Sequence, residues 1–279
     1  MAKVVVITGC SSGIGLATAV LLAKEGNKVY ATMRDTGKKE KILAEAKKSG
    51  TSLNVLQLDV TNDESIRTAI GHVIDKEGRI DVLINNAGYG LMGVAENSSV
   101  EQLKAEFEVN LFGLFRVTQA VLPQMRKQKA GHIINISSIA GLRSMPASEL
   151  YNASKYAVEG LTEGMAPTMK LLGIKMSLIE PGPVETDFNS RSMQFGNRNV
   201  DEPVYNSVTE KMAASRKERF KDAQKPSEIA LVISEAINSE NPHLRYQTSE
   251  WVKENASEKY ANLDGDAIVN GFVRRLKNG

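Results

Sequence analysis

The chain has 279 residues, 42% hydrophobic and 24% charged, with a net charge of +2. That length suits one α/β domain and that balance an ordinary globule. Lysines and arginines interleave with acids, which excludes a nucleic-acid stripe or an anionic-membrane patch as the organising feature of the surface, and a single cysteine, Cys10, excludes an intramolecular disulfide.

The opening run "KVVVITG" is too short for a membrane span and lacks a signal-peptide layout, so a cytoplasmic protein is expected. Strands are predicted over 3–8, 28–33, 53–58 and 81–85, with helices near 13–26, 38–49 and 62–77 between them. Such alternation predicts a parallel sheet covered by helices on both faces, and the unbroken apolar runs suit strands buried on both sides. A long helical pattern follows over about 101–128, then a strand over 132–137. The next helix, about 151–172, contains Pro167, which should kink it, and a sixth strand covers 174–180. The region 188–225 is polar and reads as an insertion with a short helix near 204–221. A helix over 226–237, a final strand over 243–248 and an amphipathic tail from 250 complete one domain, 1–279. His72, His132 and His243 lie far apart and form no metal-ligand grouping, so no metal site is expected.

After the first strand comes "TGCSSGIG", Thr8 to Gly15. Glycines let a backbone approach an anion without a β-carbon clash, and the following helix directs free N–H groups at that place. A pyrophosphate fits there, although Gly9, Gly13 and Gly15 are spaced G-x-x-x-G-x-G and would also serve tight strand-to-helix packing. At the end of the second strand, where an acid would meet an adenosine ribose, stands Met33, followed by Arg34. Arginine grips phosphate with paired N–H bonds, which favours NADP(H), with Ser11 or Ser12 assisting. If the strand runs further, Asp35 meets the ribose and NAD(H) is preferred; as bland loop charges, Arg34 and Asp35 would do neither.

Four motifs then occur in order: "TGCSSGIG", "NNAG" at Asn85 to Gly88, the serine pair Ser137 and Ser138, and "YNASK" from Tyr151. Together they resemble the short-chain dehydrogenase/reductase family. The phrases "VVVITGCSSGIG", "KVYATMRD" and "SLIEPGPVETDF" are similar to its 17β-hydroxysteroid dehydrogenase type 1 and retinol dehydrogenase branch. The resemblance implies a three-layer, doubly wound Rossmann domain of seven parallel strands, with a nicotinamide cofactor across their carboxyl ends. It implies cofactor contacts from Gly9, Ser11, Ser12, Gly13, Ile14 and Gly15, from Asp59 and Val60 at the adenine, and from Asn86, Ala87 and Gly88. Pro181, Gly182, Val184 and Thr186 would meet the nicotinamide carboxamide.

The catalytic set implied is Asn110, Ser138, Tyr151 and Lys155. A phenol is a poor acid–base catalyst at neutrality, but an ammonium one helical turn away is expected to lower its pKa. Tyr151 would then trade the proton, Ser138 position the substrate oxygen, Lys155 also hold the ribose, and Asn110 bend its helix and bind a water feeding protons to Lys155. Leu142, Met145, Leu150, Phe188 and Met193 would wall a lipophilic alcohol or ketone, steroid- or retinoid-like. No G-x-S-x-G elbow surrounds Ser138, which disfavours a hydrolase. A catalytically silent dinucleotide-binding sensor or scaffold, and a dehydratase or epimerase on the same sheet, are the alternatives. The resemblance also implies a homodimer or homotetramer, paired through the 101–128 and 151–172 helices.

Overall fold

A computed structural model describes residues 2–186, 193–198, 200–261 and 264–278. The strands are β1 (Val4–Ile7), β2 (Lys28–Met33), β3 (Asn54–Gln57), β4 (Val82–Asn85), β5 (Gly90–Met92), β6 (Gly131–Ile136), β7 (Ile174–Glu180), β8 (Met193–Phe195) and β9 (Arg245–Gln247). Seven of them form one parallel sheet in the order β3-β2-β1-β4-β6-β7-β9. The chain winds outward from β1 to β3, then crosses back to β4, so a crevice opens between β1 and β4 at the carboxyl ends.

The lack of polar alternation in "VVVI" has a direct cause: both faces of the sheet are covered. Val5 and Ile7 face α1 (Gly13–Lys24) and a later helix, Pro226–Asn238, in a core with Leu22, Ile229 and Ile233. Val4 and Val6 face the other way, into a core with Ile66, Val117, Val121 and Met169. Those residues come from α3 (Asp63–Glu77), α5 (Leu114–Gln128) and α6 (Glu149–Leu171). Two shorter helices, α2 (Lys39–Lys48) and α4 (Val100–Phe107), lie between these elements in the chain. After β8 come α7 (Pro203–Arg219), α8 (Pro226–Asn238), α9 (Glu250–Ala261) and α10 (Asp266–Asn278). No described helix is long and apolar enough to cross a membrane.

Two features differ from expectation. The single helix expected over 101–128 is two, α4 and α5, joined by a π-helical segment, Glu108–Gly113. A π segment inserts a residue into the helical ladder; here Gly113 also lets the helix approach Val60, whose Cγ2 would lie 2.7 Å from a β-carbon at that glycine. Pro167 sits inside α6, which runs on to Leu171. The second difference is that β5 and β8 form a separate two-stranded parallel sheet, pairing Gly90 with Met193 and Met92 with Phe195.

Gly15, at the start of α1, has no room for a side chain. A β-carbon on Gly15 would lie 2.4 Å from Asn86 Nδ2 and 2.6 Å from the Gly9 carbonyl oxygen, whereas one on Gly71, in α3, meets nothing within 4 Å. Gly15→Ala is therefore expected to lower stability by about 1–3 kcal/mol. Gly71→Ala should raise it by up to about 1 kcal/mol. Urea unfolding of the two variants measures both; equal effects would mean that the turn has room.

Candidate active site

Thr8 follows β1 and ties the crevice together. Its Oγ1 accepts from the Asn86 and Ala87 N–H groups at 2.9 and 3.0 Å. In return Asn86 Nδ2 donates to the Thr8 and Gly9 carbonyls at 2.9 and 3.0 Å. Gly9 and Gly13 have φ of +72° and +58°, left-handed conformations that favour glycine. A β-carbon on Gly9 would come within 2.9 Å of Ala87 Cα, and one on Gly13 within 3.2 Å of Thr186 Cγ2 across the cleft. The Ser12 side chain makes no capping hydrogen bond to α1, so the first N–H groups of that helix have no side-chain cap beside a floor clear of β-carbons. These residues fit a pyrophosphate. Ser11, Ser12, Gly13 and Ile14 line the cleft, whereas Gly15 lies buried behind it.

The cleft measures about 1090 Å³, room for a dinucleotide and a second molecule. At one end it is lined by Met33, Arg34, Asp59, Val60 and Thr61. β2 stops at Met33, and Arg34 is exposed at its tip. Asp35 turns away and accepts from the Gly37 N–H at 2.9 Å, capping a short 3-10 turn. Asp59 accepts from the Thr61 N–H and hydroxyl at 2.9 and 2.8 Å.

At the other end Ser138, Tyr151 and Lys155 share one wall with Gly88, Pro181, Gly182, Val184 and Thr186. Ser138 lies just past β6; its Oγ accepts from the Ala140 N–H at 3.1 Å and is hydrogen-bonded to the Tyr151 phenol. Lys155, one turn after Tyr151 on α6, donates to the Ile136 carbonyl at 2.9 Å, and its Nζ is 5.8 Å from the Tyr151 ring centre. Asn110 sits behind this wall in the π segment. Its Oδ1 accepts from the Tyr89 N–H at 3.0 Å, and its Nδ2 donates to the Tyr89 carbonyl at 2.9 Å and to Ser154 Oγ at 3.1 Å.

The electrostatics correct one expectation. Burial pushes the Tyr151 phenol up to about 12, against the smaller opposing effects of Ser138 and Arg216. Burial also brings Lys155 down to about 8, while Glu106 and Glu159 hold it up. Loss of hydration is the largest cause for phenol and ammonium alike.

Glu106, on α4, was not anticipated from the sequence. It is wholly buried; its Oε1 accepts from the Leu91 N–H at 3.0 Å, and its Oε2 has no hydrogen-bond partner among the described residues. Burial moves it from the ordinary 4.5 up to about 7. A buried acid pair, Glu159 and Glu180, shares Arg245 at 3.2 and 3.3 Å.

Of the five residues expected to meet substrate, Met145 and Met193 line the cleft. Leu142 does not: it is buried with Ile139, Val252 and Ala256, because α9 docks on that loop. Leu150 stands half-buried in the first turn of α6, outside the lining, and Phe188 falls outside the described residues. The lining that sequence reasoning missed includes Met92, Phe195, Phe220 and Trp251, and a face of α7 carrying Thr209, Met212, Ala213, Arg216 and Arg219. That face has helical spacing and was readable as such. His132 is a core residue: its Nε2 meets Ser177 Oγ at 2.9 Å, and burial brings it down to about 4.

A model of the short chain dehydrogenase family matches residues 3–195. Retinol dehydrogenase 8 of Homo sapiens is 41% identical over 256 residues, covering 88% of this chain and 81% of that protein. The 17-beta-hydroxysteroid dehydrogenase type 1 of Homo sapiens is 38% identical over 256 residues, 88% of this chain and 77% of that protein. A short chain dehydrogenase/reductase from Burkholderia phymatum, solved with NAD, superposes with a TM-score of 0.80 at 26% identity, covering 94% of each chain. A metagenomic short-chain oxidoreductase solved with NADP gives 0.70 at 27% identity, covering 88% of this chain and 96% of that one.

A carboxyl that folding keeps protonated contributes stability at low pH and loses it as pH rises from about 4.5 through about 7. Glu106→Gln keeps the neutral form at every pH. Its advantage over the wild type is expected to open above pH 4.5 and level off near pH 7, at up to about 3 kcal/mol. Denaturant titrations from pH 4 to 8 measure it; a gap that does not change with pH would mean that Glu106 is ionised in the fold.

Proposed function

The chain belongs to the short-chain dehydrogenase/reductase family, and from that premise we propose that it interconverts a primary or secondary alcohol and its carbonyl, with NADP(H), on a lipophilic substrate of steroid- or retinoid-like character. The observation that carries the reading is the meeting of Ser138, Tyr151 and Lys155 on one wall of a cleft whose floor is the glycine turn. When bound, the nicotinamide supplies or accepts the hydride. Tyr151 gives its phenolic proton to the substrate oxygen in reduction and takes the alcohol proton in oxidation. Ser138, already hydrogen-bonded to that phenol, orients the oxygen. Lys155, which lines the same wall, would in this reading hold the ribose hydroxyls and stabilise a phenolate. Asn110 keeps in this proposal the water that passes protons to Lys155, and the Val184 backbone and Thr186 hydroxyl meet the carboxamide.

Support for NADP(H) comes from the end of β2. The strand stops before Arg34, which lines the cleft, and Asp35 is engaged by Gly37. Support for a lipophilic substrate comes from the apolar wall of Met92, Met145, Met193, Phe195, Met212 and Phe220, and from what the two relatives are named for. The segment from 188 to 225 serves in this reading as the substrate-side insertion, and a cytoplasmic location remains part of it. So does a homodimer or homotetramer: the 101–128 and 151–172 regions leave Phe112 and Leu171 exposed at 46% and 88%, and sedimentation at monomer mass would remove that part.

Tyr151→Phe is expected to lower kcat by about 100- to 10,000-fold while NADPH still binds. Arg34→Ala should weaken NADPH roughly 10- to 100-fold and leave NADH little changed. Cofactor titrations with NADPH and NADH, then NADPH oxidation with lipophilic ketones, measure both. Turnover that survives Tyr151→Phe would sink the mechanism, and tighter NADH than NADPH binding the cofactor assignment.

A further inference from the structure

Among its described residues the cleft is electrically lopsided. Its described carboxylates, Asp59 and Glu108, are already engaged, the first by Thr61 and the second by Arg116 at 2.7 Å. From Met145 to Trp251 the described lining holds Lys155, Arg216, Lys217 and Arg219 and no carboxylate. Three of these cations come from the end of α7, over the same space that Met145, Met193 and Phe220 make apolar.

Arg219 is the informative one. It is half-buried, and its Nη1 finds the Met145 sulfur at 3.4 Å, a weak acceptor. Among the described residues no carboxylate stands within ion-pair distance of it, and its charged neighbours, Arg275 and Arg143, repel it. Arg143 is itself committed to Glu258 at 2.8 Å and to Asn255. Nearby, the Arg216 guanidinium lies 5.5 Å from the Phe220 ring centre and near enough to the Tyr151 phenol for the two charges to act on each other. A partly desolvated guanidinium among like charges and apolar side chains is costly unless an anion joins it. Guanidinium is also the group that holds carboxylate or phosphate with paired bonds.

We infer that the cleft takes an amphipathic acid: a lipophilic ketone or alcohol whose carboxylate or phosphate is anchored by Arg219, with Arg216 and Lys217 beside it. This narrows the substrate class proposed above and rests on that reading for the reaction, but not for the binding. An amine-bearing lipid would be repelled by Arg219 and Lys217.

The chain's one tryptophan, Trp251, stands in the cleft wall and gives a binding signal that needs no turnover. Wild-type protein is titrated with decanoate, decyl phosphate, decanol and decylammonium, each below its aggregation threshold. An anion is expected to bind at least about tenfold more tightly than decanol, with decylammonium weakest; the better of the two anions identifies carboxylate or phosphate as the group. Arg219→Gln should bring the ratio of anion to alcohol affinity close to one, and Arg219→Lys should keep part of it. Decanol binding as tightly as both anions, or a ratio that survives Arg219→Gln, would overturn the proposal. In parallel, NADPH oxidation is followed with a keto fatty acid and its methyl ester, the acid being expected to have the higher kcat/KM by about tenfold. If the binding preference stands and neither ketone reacts, the oxidoreductase reading fails and the anion site survives. If both ketones react equally and no preference is found, the anion site fails and the reaction survives.

Discussion

The architecture of the cleft depends on one short reciprocal set of hydrogen bonds, from Asn86 and Ala87 to Thr8, and from Asn86 back to the carbonyls of Thr8 and Gly9. These bonds lock the end of β4 to the turn after β1, at the place where the strand order reverses. They satisfy backbone groups that would otherwise face the crevice unpaired. Gly15 and Gly9 leave the room in which the lock can close. Everything that meets in the cleft is placed relative to that junction: α1 starts from it, Gly88 leaves it, and Gly88 in turn passes close to Asn110 and Lys155, with 3.0 and 4.0 Å left for a β-carbon.

Around that junction the governing force is dehydration rather than pairing. Tyr151, Lys155, Glu106 and Glu180 are all shifted toward their neutral forms, with burial as the largest cause in each. The same dehydration makes each charge that remains more consequential, because an interior field is weakly screened.

Much of this was legible in the sequence, and the exceptions have physical reasons. The strands of the main sheet announce themselves as apolar runs because both faces are covered. The glycine turn, "NNAG" and the Tyr151–Lys155 spacing point to one crevice, and residues of all three line it. The β5–β8 pair leaves no signature: three residues a side are held by their placement in the fold rather than by propensity. Glu106 lies in "KAEFE", which looks like a solvated helix face, and only the close approach of Leu91 shows that it is inside. Leu142 and Met145 are equally apolar neighbours. The docking of α9 buries Leu142 in a core and leaves Met145 at its edge, packed against that core and still lining the cleft, through residues more than a hundred positions away. The raised Tyr151 value was likewise beyond sequence reasoning, since adjacency of a lysine is written in the chain and the degree of desolvation is not.

The small sheet has a mechanical consequence. β8 leads into the segment that brings α7 over the cleft, and its partner β5 follows directly from the Asn86–Gly88 floor. Gln102 also grips this segment, donating to the Phe195 carbonyl at 2.8 Å and accepting from the Asn197 N–H at 3.0 Å. Roof and floor are thus stitched at this seam, and again where the residues after α7 meet the wall, Gln224 N–H donating to the Pro183 carbonyl at 3.0 Å and Glu185 N–H to the Gln224 carbonyl at 2.8 Å. A disturbance of the floor at β5 is therefore carried to the roof by two routes, through β8 and through the Pro183–Glu185 wall.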